Sequence, residues 1–385
     1  MSKLAITIFI CALILTIFGI ITAASIGQVT YTENLKSFEL NKLEQKTLDY
    51  ENNKAEVTKF HKLNKQLIWL GLSIIPIIII LKMDYQILSK YYLIIFALSL
   101  FALALVFVPG IGKEMNGSHR WLRLLGFSIQ PSEFAKISLI IVLASWYNNV
   151  MEHHNKFRHL TIYPGLFLSA FLALIIIEPD FGTFALLGLI GGILMVQGGS
   201  QLRYLLPAGA VGLAGGIFYL LNNPNRLIRF WAWVHPEQYP DLAYNLNQSL
   251  ISFTRGGLFG QGFGNGIQKE HYLPEASTDF ILAIIGEEWG LIATILVVLC
   301  FAVICICGLC IAMHTVNRFG KLLAVGLTMT ITVQSIISIS TVTGMIPPKG
   351  FPLPFVSYGG TSLLVSWCIA ALLMNISNNN KEKLV

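Results

Sequence analysis

GQGFGNGIQKEHYLPEASTDFILAIIGEEWG, residues 260–290, joins a polar, glycine-rich loop to a long apolar segment and places one acid, Asp279, at the junction. An ionised carboxylate is costly to bury in hydrocarbon, so an acid at the mouth of a membrane helix usually faces a cavity or a partner. In a helix that begins at this aspartate, Ala283, Gly286 and Gly290 lie on nearly the same face. Such a small face either lets two helices approach closely or leaves a groove for a lipid tail. Asp279 itself is then a functional acid or a helix cap.

The composition of the 385-residue chain is that of a membrane protein. Hydrophobic residues make up 55% of it, charged residues only 12%, and the mean hydropathy is +0.67, which excludes a soluble domain. Apolar runs that can cross a bilayer core of roughly 30 Å recur along the whole chain. They lie at residues 4–25, 66–82, 91–108, 136–149, 163–177, 182–198, 205–221, 280–312, 320–342 and 361–376. The sequence therefore predicts an all-α polytopic membrane protein of about ten transmembrane helices, forming one integral membrane domain over residues 1–385.

Lys and Arg residues near the ends of the spans favour an orientation with both chain ends in the cytoplasm. The outer side then also carries many cations, which indicates either an anionic ligand or ordinary contact with lipid headgroups. The first outer loop, residues 28–65, is long, mixes acids with bases and contains neither Pro nor Gly. This pattern predicts helix that lies on the membrane surface or against a partner protein, or that forms a solvated hairpin.

The loop between the third and fourth spans contains GSHRWLRL, in which a cation, Arg120, stands beside an aromatic ring, Trp121. A guanidinium group suits bidentate contacts with phosphate, whereas a tryptophan at headgroup level is also an ordinary interfacial anchor. The following QPSEFAK predicts a helix start, where the negative charge of Glu133 interacts favourably with the positive end of the helix dipole. Lys136 lies just inside the span, where a lone ammonium group needs a carboxylate or a phosphate.

Two more polar regions interrupt the apolar runs. Glu178, Pro179 and Asp180 form a turn between the fifth and sixth spans, where the two carboxylates either bind a cation or cap a helix. A large outer loop, residues 222–278, separates the seventh and eighth spans and holds Arg255 and a cluster of glycines. It contains neither GxGxxG in a strand–helix context nor GxxxxGK[ST], so it is not a nucleotide-binding loop. Its glycines permit tight turns and close backbone approach to a ligand.

The connection between the ninth and tenth spans is rich in proline. It reads TVTGMIPPKGFPLPFVSYGGTSLL, residues 341–364, and carries Lys349 and Ser357. Proline fixes φ and removes a backbone donor, so this stretch cannot be a spanning helix. It can form a rigid re-entrant segment, which is tolerated within a membrane only where it lines protein or a cavity.

These segments resemble, in the same order, the signature motifs of the SEDS family, whose members include FtsW, RodA and SpoVE. The matching motifs are GSHRWLRL with QPSEFAK, EPDFGT, GQGFGNGIQKEHYLPEASTDFILAIIGEE and GMIPPKGFPLPFVSYGGTSLL. Their wording is closer to the cell-division branch, FtsW, than to the elongation branch, RodA. The ten-helix fold of the family agrees with the ten apolar runs. The first outer loop departs from the family pattern, since it is longer than usual.

The resemblance implies a SEDS-type inverting glycosyltransferase that polymerises lipid II into peptidoglycan on the outer face of the bacterial cytoplasmic membrane. It implies a class B penicillin-binding transpeptidase and other divisome proteins as partners, a location at the division septum, contact with membrane lipids, and no nucleic acid. The catalytic aspartate of the family falls on Asp279. The remaining motif residues imply a substrate-binding role and are Arg120, Trp121, Glu133, Lys136, Glu275, Lys349 and Ser357.

The chemistry of the implied reaction suits these residue types. The 4-hydroxyl of one sugar displaces a lipid-linked diphosphate from the anomeric carbon of another, which needs a base and charge stabilisation for the leaving group. Asp279 can accept the hydroxyl proton as general base. The diphosphate can be neutralised by Arg120, Arg255, Lys349 or a divalent cation, Mg²⁺ or Mn²⁺. We expect no metal centre at the C-x-C-x-x-C spacing of residues 305–310, which lies in one apolar helix without a second ligand set.

Other functions stay open. A lipid II flippase would place ionisable groups along a path at the bilayer midplane, often within inverted repeats, whereas the informative charges here cluster at one face. A scaffold that only recruits the transpeptidase leaves Asp279 without a role. An elongation-type, RodA-like polymerase differs from the expected enzyme only by the wording of the motifs.

Overall fold

The computed structural model describes residues 2–40, 61–115, 118–124, 127–150, 157–222 and 224–382, and most of this part of the chain is helical. The helices are α1 Lys3–Leu40, α2 His61–Lys82, α3 Tyr92–Leu105, α4 Pro131–Val150, α5 Tyr163–Ile177, α6 Phe181–Gly198, α7 Leu202–Leu221, α8 Pro224–Val234, α9 Pro240–Gly256, α10 Ile281–His314, α11 Arg318–Val342 and α12 Gly360–Glu382. A four-residue helix covers Ile87–Lys90, and π-helical turns cover Arg158–Ile162 and Gln268–Tyr272. The strands are β1 Gly112–Met115, β2 Ser118–Leu124 and β3 Phe127–Ile129.

Each of the ten predicted spans falls on one of these helices. Within the described residues, seven helical stretches are long and apolar enough to cross a membrane, and α3 is a shorter apolar helix. The seven are Lys3–Gly27, Leu63–Lys82, Arg158–Ile177, Phe181–Gly198, Ile281–His314, Arg318–Val342 and Gly360–Asn379. The predicted spans 136–149 and 205–221 lie inside α4 and α7. The prediction of an all-α polytopic membrane protein is confirmed.

Helix α10 lies at the centre of the bundle, where it packs against α1, α9, α11 and α12. Most of α11 and α12 is buried, whereas α2 and α5 expose most of their apolar side chains, as expected for helices at a lipid-facing periphery. The two chain ends lie at one end of the bundle, because Ser2 N donates to Asn378 Oδ1 at 2.8 Å. Farther along α1, a Cβ built on Gly19 would lie 2.3 Å from Val356 O. The connection between α11 and α12 therefore packs near the opposite end of the bundle.

Several connections differ from the sequence-based prediction. The loop between α3 and α4 forms a small antiparallel sheet of order β1-β2-β3, with Lys113 opposite Trp121. Residues 222–278, which we predicted as a large outer loop, contain α8, α9 and a π-helical turn. Helix α1 continues to Leu40, so the prediction of helix within residues 28–65 holds for 28–40 and 61–65. The rest of that loop, residues 41–60, lies outside the described residues.

Helix α10 is broken at Gly290, whose φ of 76° and ψ of −171° are not helical. This break was not predicted. It leaves backbone groups without helical partners, and the glycine-rich loop, residues 257–266, supplies partners for them. Gln261 N donates to Glu287 O at 2.9 Å, and Leu291 N donates to Gly257 O at 2.9 Å.

The small face of α10 is filled by protein. A Cβ built on Gly286 would lie 2.4 Å from the Phe253 ring of α9, and one built on Gly290 would lie 2.4 Å from Gly260 N in the glycine-rich loop. Ala283 is fully buried. Of the two alternatives for this face, close packing is therefore observed, and the lipid groove is not.

Candidate functional site

Asp279 lies in the turn that immediately precedes α10, and its side chain is half-buried. A Cβ built on Gly350 would lie only 2.8 Å from Asp279 Oδ2, so the backbone of the connection between α11 and α12 closes one side of the carboxylate. Burial, and then the nearby carboxylate of Glu275, raise the pKa of Asp279 to about 6. The carboxylate is still about nine-tenths ionised at pH 7.

Glu275 is the second acid of this turn and is exposed. Its backbone is left-handed, with φ of 58°, and its Oε2 accepts a hydrogen bond from Thr278 Oγ1 at 2.8 Å. The side chain therefore lies over the turn that leads to Asp279, which explains how it raises the pKa of that residue.

The proline-rich segment, residues 343–359, forms no helix, and apart from the half-buried Pro352 it is buried from Phe351 to Ser357, as predicted for a re-entrant element. Ser357 ties it to the turn before α10: its hydroxyl donates to Thr278 O and accepts from Leu353 N at 2.8 Å. Tyr358 N donates to Ser277 O at 2.8 Å. Ser357 is 4% exposed, and its hydrogen bonds hold the segment against the turn; its substrate-binding role stays a prediction. Lys349, on the same segment, is exposed.

Arg120 and Trp121 lie on β2, and both are half-buried. Arg120 Nη2 donates to Pro179 O at 2.7 Å, and its Nε donates to Glu178 O at 3.3 Å. The guanidinium group therefore joins the sheet to the turn between α5 and α6. That turn also reaches the proline-rich segment, since a Cβ built on Gly182 would lie 2.6 Å from the ring of Phe351.

The two acids of this turn have different roles. Asp180 caps α6, accepting from Thr183 N at 3.2 Å and Thr183 Oγ1 at 2.8 Å, so the capping alternative is the observed one. Glu178 is buried, and neither of its carboxylate oxygens has a hydrogen-bond partner within the described residues. Burial, and then Asp180, raise the pKa of Glu178 to about 8, against the lowering effect of Arg120. This carboxyl group is therefore mostly neutral at pH 7.

Glu133 and Lys136 pair with each other inside the bundle. Lys136 Nζ lies 2.8 Å from Glu133 Oε2, and the two side chains are nearly fully buried. Lys136 also donates to Gln334 Oε1 of α11 at 2.9 Å. The lysine thus has the carboxylate partner that its position required. The substrate-binding roles of both residues stay predictions.

Arg255 does not join Asp279 in this structure. It lies at the end of α9, with Nε 3.5 Å from Glu287 Oε1, two turns into α10. Glu287 also accepts from Ile267 N at 3.0 Å and from Gln268 N at 3.1 Å. In this structure Arg255 thus forms an ion pair beside the glycine-rich loop, and its role at the leaving group stays a prediction.

Two further acids, Glu287 and Glu288, were not predicted to have a role, although acids within an apolar run are a signal for one. Glu288 pairs with Lys269, and both side chains are fully buried. Lys269 is consequently not one of the cations open to an external anion. Within the part of the chain that the structure describes, no group of three or more His, Cys, Asp or Glu side chains could hold a metal ion.

Comparison with known proteins agrees with the motifs. The family described as cell cycle protein, that of FtsW, RodA and SpoVE, matches residues 46–382. A probable peptidoglycan glycosyltransferase FtsW of Trichlorobacter lovleyi is 37% identical over 319 residues, 82% of this chain and 83% of that protein. Stage V sporulation protein E of Bacillus subtilis is 35% identical over 319 residues, 82% and 87% of the two chains. A solved chain from a peptidoglycan synthase complex that coordinates polymerization and crosslinking has a TM-score of 0.69 at 20% identity, covering 93% of this chain and 96% of that one. This last likeness concerns the fold alone.

Proposed function

The chain belongs to the FtsW, RodA and SpoVE family of cell cycle proteins, and on this premise we propose that it is a peptidoglycan glycosyltransferase that polymerises lipid II. The name of the Trichlorobacter relative, at 37% identity, supports this activity and the division-type, FtsW-like assignment. Within the chain, the proposal is carried by one observation. Asp279 is a half-buried acid beside Gly350, with its pKa raised to about 6, close to the pH at which a general base works best.

In the proposed reaction, the 4-hydroxyl oxygen of one sugar bonds to the anomeric carbon of a second, lipid-linked sugar. Asp279 accepts the hydroxyl proton as that bond forms. The bond between the anomeric carbon and the diphosphate oxygen breaks, and the diphosphate leaves with the electron pair. Because attack and departure occur on opposite faces of the sugar, the configuration inverts. A positioned base contributes about 10² to 10⁴ in rate to such a step.

The departing diphosphate needs positive charge. Arg120, half-buried on β2, and Lys349, exposed on the proline-rich segment, are the side chains that we assign to it, with Trp121 beside the arginine. Asp279 and Glu275 offer two carboxylates, so Mg²⁺ or Mn²⁺ would take its further ligands from the substrate and from water. When bound, such a cation would neutralise charge on the leaving group.

We assign the site to the outer face of the cytoplasmic membrane and both chain ends to the cytoplasm. The contact between Ser2 and Asn378 supports a common side for the two ends. Tags after residue 385 and within residues 151–161 should be protected from external reagents, and tags within residues 222–278 should be accessible to them. Cytoplasmic labelling of residues 222–278 would contradict this orientation and, with it, the outer location of the site.

A class B penicillin-binding transpeptidase is the proposed partner, together with other divisome proteins at the septum. The fold shared with a chain of a peptidoglycan synthase complex that coordinates polymerization and crosslinking supports a partner of this kind. Co-purification of the full chain with its cognate transpeptidase, and septal localisation of a fluorescent fusion, would test the two parts separately. A fusion spread evenly along the side wall would instead favour an elongation-type enzyme.

The decisive experiment incubates the purified full chain and its transpeptidase with lipid II and measures glycan polymer. Asp279→Asn keeps the size of the side chain but cannot accept the proton, so it should reach the membrane, bind the partner and make no polymer. Asp241→Asn, at an exposed aspartate near the start of α9, is the matched control and should stay active. Normal polymerisation by Asp279→Asn together with loss in Glu275→Gln would move the base to Glu275, and activity in both would refute the site.

A further inference from the structure

A chain of buried polar contacts crosses the bundle from α4 to the proline-rich segment, and the proposed reaction leaves its central member without a role. Gln334 of α11 is 3% exposed. Its Oε1 accepts from Lys136 Nζ at 2.9 Å, and its Nε2 donates to Pro352 O at 2.9 Å. Lys136 is in turn paired with Glu133 at 2.8 Å. An ion pair on one helix is thus linked to the backbone of a segment that contains no helix.

The chemistry of the two neighbours fixes the orientation of the Gln334 amide. A lysine ammonium group can only donate hydrogen bonds, and the carbonyl of Pro352 can only accept them. The carbonyl oxygen of the amide must therefore face Lys136 and its NH₂ group must face Pro352. An amide is one of the few side chains that carries both functions, so an acid or an apolar residue at this position would lose one contact or both.

The contact with Pro352 matters because it reaches the middle of the proline-rich segment, whereas the hydrogen bond from Trp233 to Gly344 O holds the start of the segment. Its prolines lack N–H groups, and a segment without regular structure inside the bundle must find partners elsewhere. Ser357 and Tyr358 hold its far end to the turn before α10. Gln334 holds the middle at Pro352, two residues from Gly350, which lies against the carboxylate of Asp279.

We propose that Gln334 is a positioning residue, which fixes the proline-rich segment against Asp279 by binding Lys136 and Pro352 at the same time. This inference rests on the glycosyltransferase function proposed above. Gln334 acts on the reaction through the segment and does not contact the substrate. Because a displacement of about 1 Å can cost about 10²-fold in a positioned reaction, loosening the segment should lower kcat more than it raises KM.

The test compares Gln334→Met, Gln334→Glu and Thr332→Val in the full chain with its transpeptidase, using lipid II as substrate. Gln334→Met loses both contacts, whereas Gln334→Glu keeps an acceptor for Lys136 and loses the donor to Pro352. Thr332→Val is the matched control on the same helix, since Thr332 Oγ1 donates only within α11, to Thr328 O at 2.9 Å. We expect kcat to fall about 10- to 100-fold in both Gln334 variants, with KM changed less than about threefold, and to be unchanged in the control.

A pH profile separates positioning from a general loss of folding. Glu275, in the same turn, is a titratable group whose charge acts on Asp279, and Lys349 precedes Gly350 on the proline-rich segment; the Gln334→Met variant alters neither. If the segment loosens, water reaches the Asp279 carboxylate, so the acid limb of the kcat/KM profile should move to lower pH. An enzyme that is only less stable would show a lower kcat/KM at every pH, and the acid limb of its profile would stay at the wild-type position. Wild-type kcat with an unmoved acid limb in Gln334→Met overturns the proposal.

Hydrogen exchange provides a readout that does not depend on activity. The amides of the non-proline residues within 350–358 should exchange faster in Gln334→Met than in the wild type, and Thr332→Val should match the wild type. If the wild type makes no polymer, the proposed function fails, and the exchange rates still decide whether Gln334 holds the segment. Unchanged exchange would overturn the proposal. If Gln334→Met does not fold, Gln334→Glu takes its place in this arm.

Discussion

Replacing Lys269 should destabilise the protein severely, because its ammonium group belongs to a fully buried ion pair. Lys269 Nζ contacts Glu288 Oε1, and neither side chain has any exposed surface. Ser25 of α1 completes the cluster: its hydroxyl accepts from Lys269 and donates to Glu288. The cluster joins α1, the π-helical turn and α10 directly beside the break at Gly290. Among the described residues, Glu288 in Lys269→Met keeps the hydroxyl of Ser25 as the one partner for its charge.

The magnitude follows from the burial. Removing one member of a buried ion pair typically costs about 3–5 kcal/mol, because the remaining charge is left uncompensated. Replacing both members by apolar side chains of similar volume is often neutral or even stabilising. Lys269→Met and Glu288→Met should therefore each cost about 3–5 kcal/mol, and the double variant should cost much less than the sum of the two. The implied coupling energy is about 3 kcal/mol or more.

The assay is a double-mutant cycle on the unfolding of the purified full chain in one detergent at one scan rate. Lys321→Met, at an exposed lysine of α11, is the matched control and should change stability by less than about 0.5 kcal/mol. Two results would refute the reasoning. One is a Lys269→Met variant as stable as the wild type, and the other is a double variant whose loss equals the sum of the single losses.

The break in α10 and the acids near the candidate site give three further tests. Gly290→Ala should lose at least about 1–3 kcal/mol, because φ of 76° with ψ of −171° is open only to glycine. Gly188→Ala, whose added Cβ meets open space, should lose nothing, and equal thermal midpoints for the two variants would contradict the break. Glu275→Gln should move the acid limb of the polymerisation profile below pH 6, since it removes the charge that raises the Asp279 pKa; an unmoved limb would show that this charge has no influence. Glu178→Gln should raise the thermal midpoint increasingly from pH 4.5 to pH 8. Over that range the unfolded state releases a proton that the folded state keeps, because the folded pKa is about 8. An equal gain at every pH would contradict an elevated pKa for this group.

The positions of the helices could be predicted because each span is a long apolar run, and the bilayer thickness sets its length. The proline-rich connection was predictable for a similar local reason, since proline cannot continue a helix. Asp279 was recognised as an acid at the start of a span. All of these signals lie within about 20 consecutive residues.

The remaining features depend on segments that are distant in the sequence. The break at Gly290 is tolerated because the loop around Gly260 meets it, thirty residues earlier in the chain. The partner of Arg255 is Glu287, and Lys136 reaches Gln334 almost two hundred residues away. Composition and periodicity carry no information about such pairings. For this reason the sequence indicated which side chains were unusual but not which ones bind each other.

The division between substrate-facing and supporting residues follows from the backbone of the site. Three segments bring backbone without helical hydrogen bonds into the bundle: the glycine-rich loop, the turn before α10 and the proline-rich segment. The N–H and C=O groups of this backbone need hydrogen-bond partners there. Glu287, Ser357 and Gln334 supply such partners and are buried in doing so. Glu275 and Lys349 remain exposed, and Asp279 and Arg120 are half-buried. Substitutions in the buried set should therefore lower stability and activity together, whereas substitutions of Asp279, Glu275 or Lys349 should lower activity with little effect on stability.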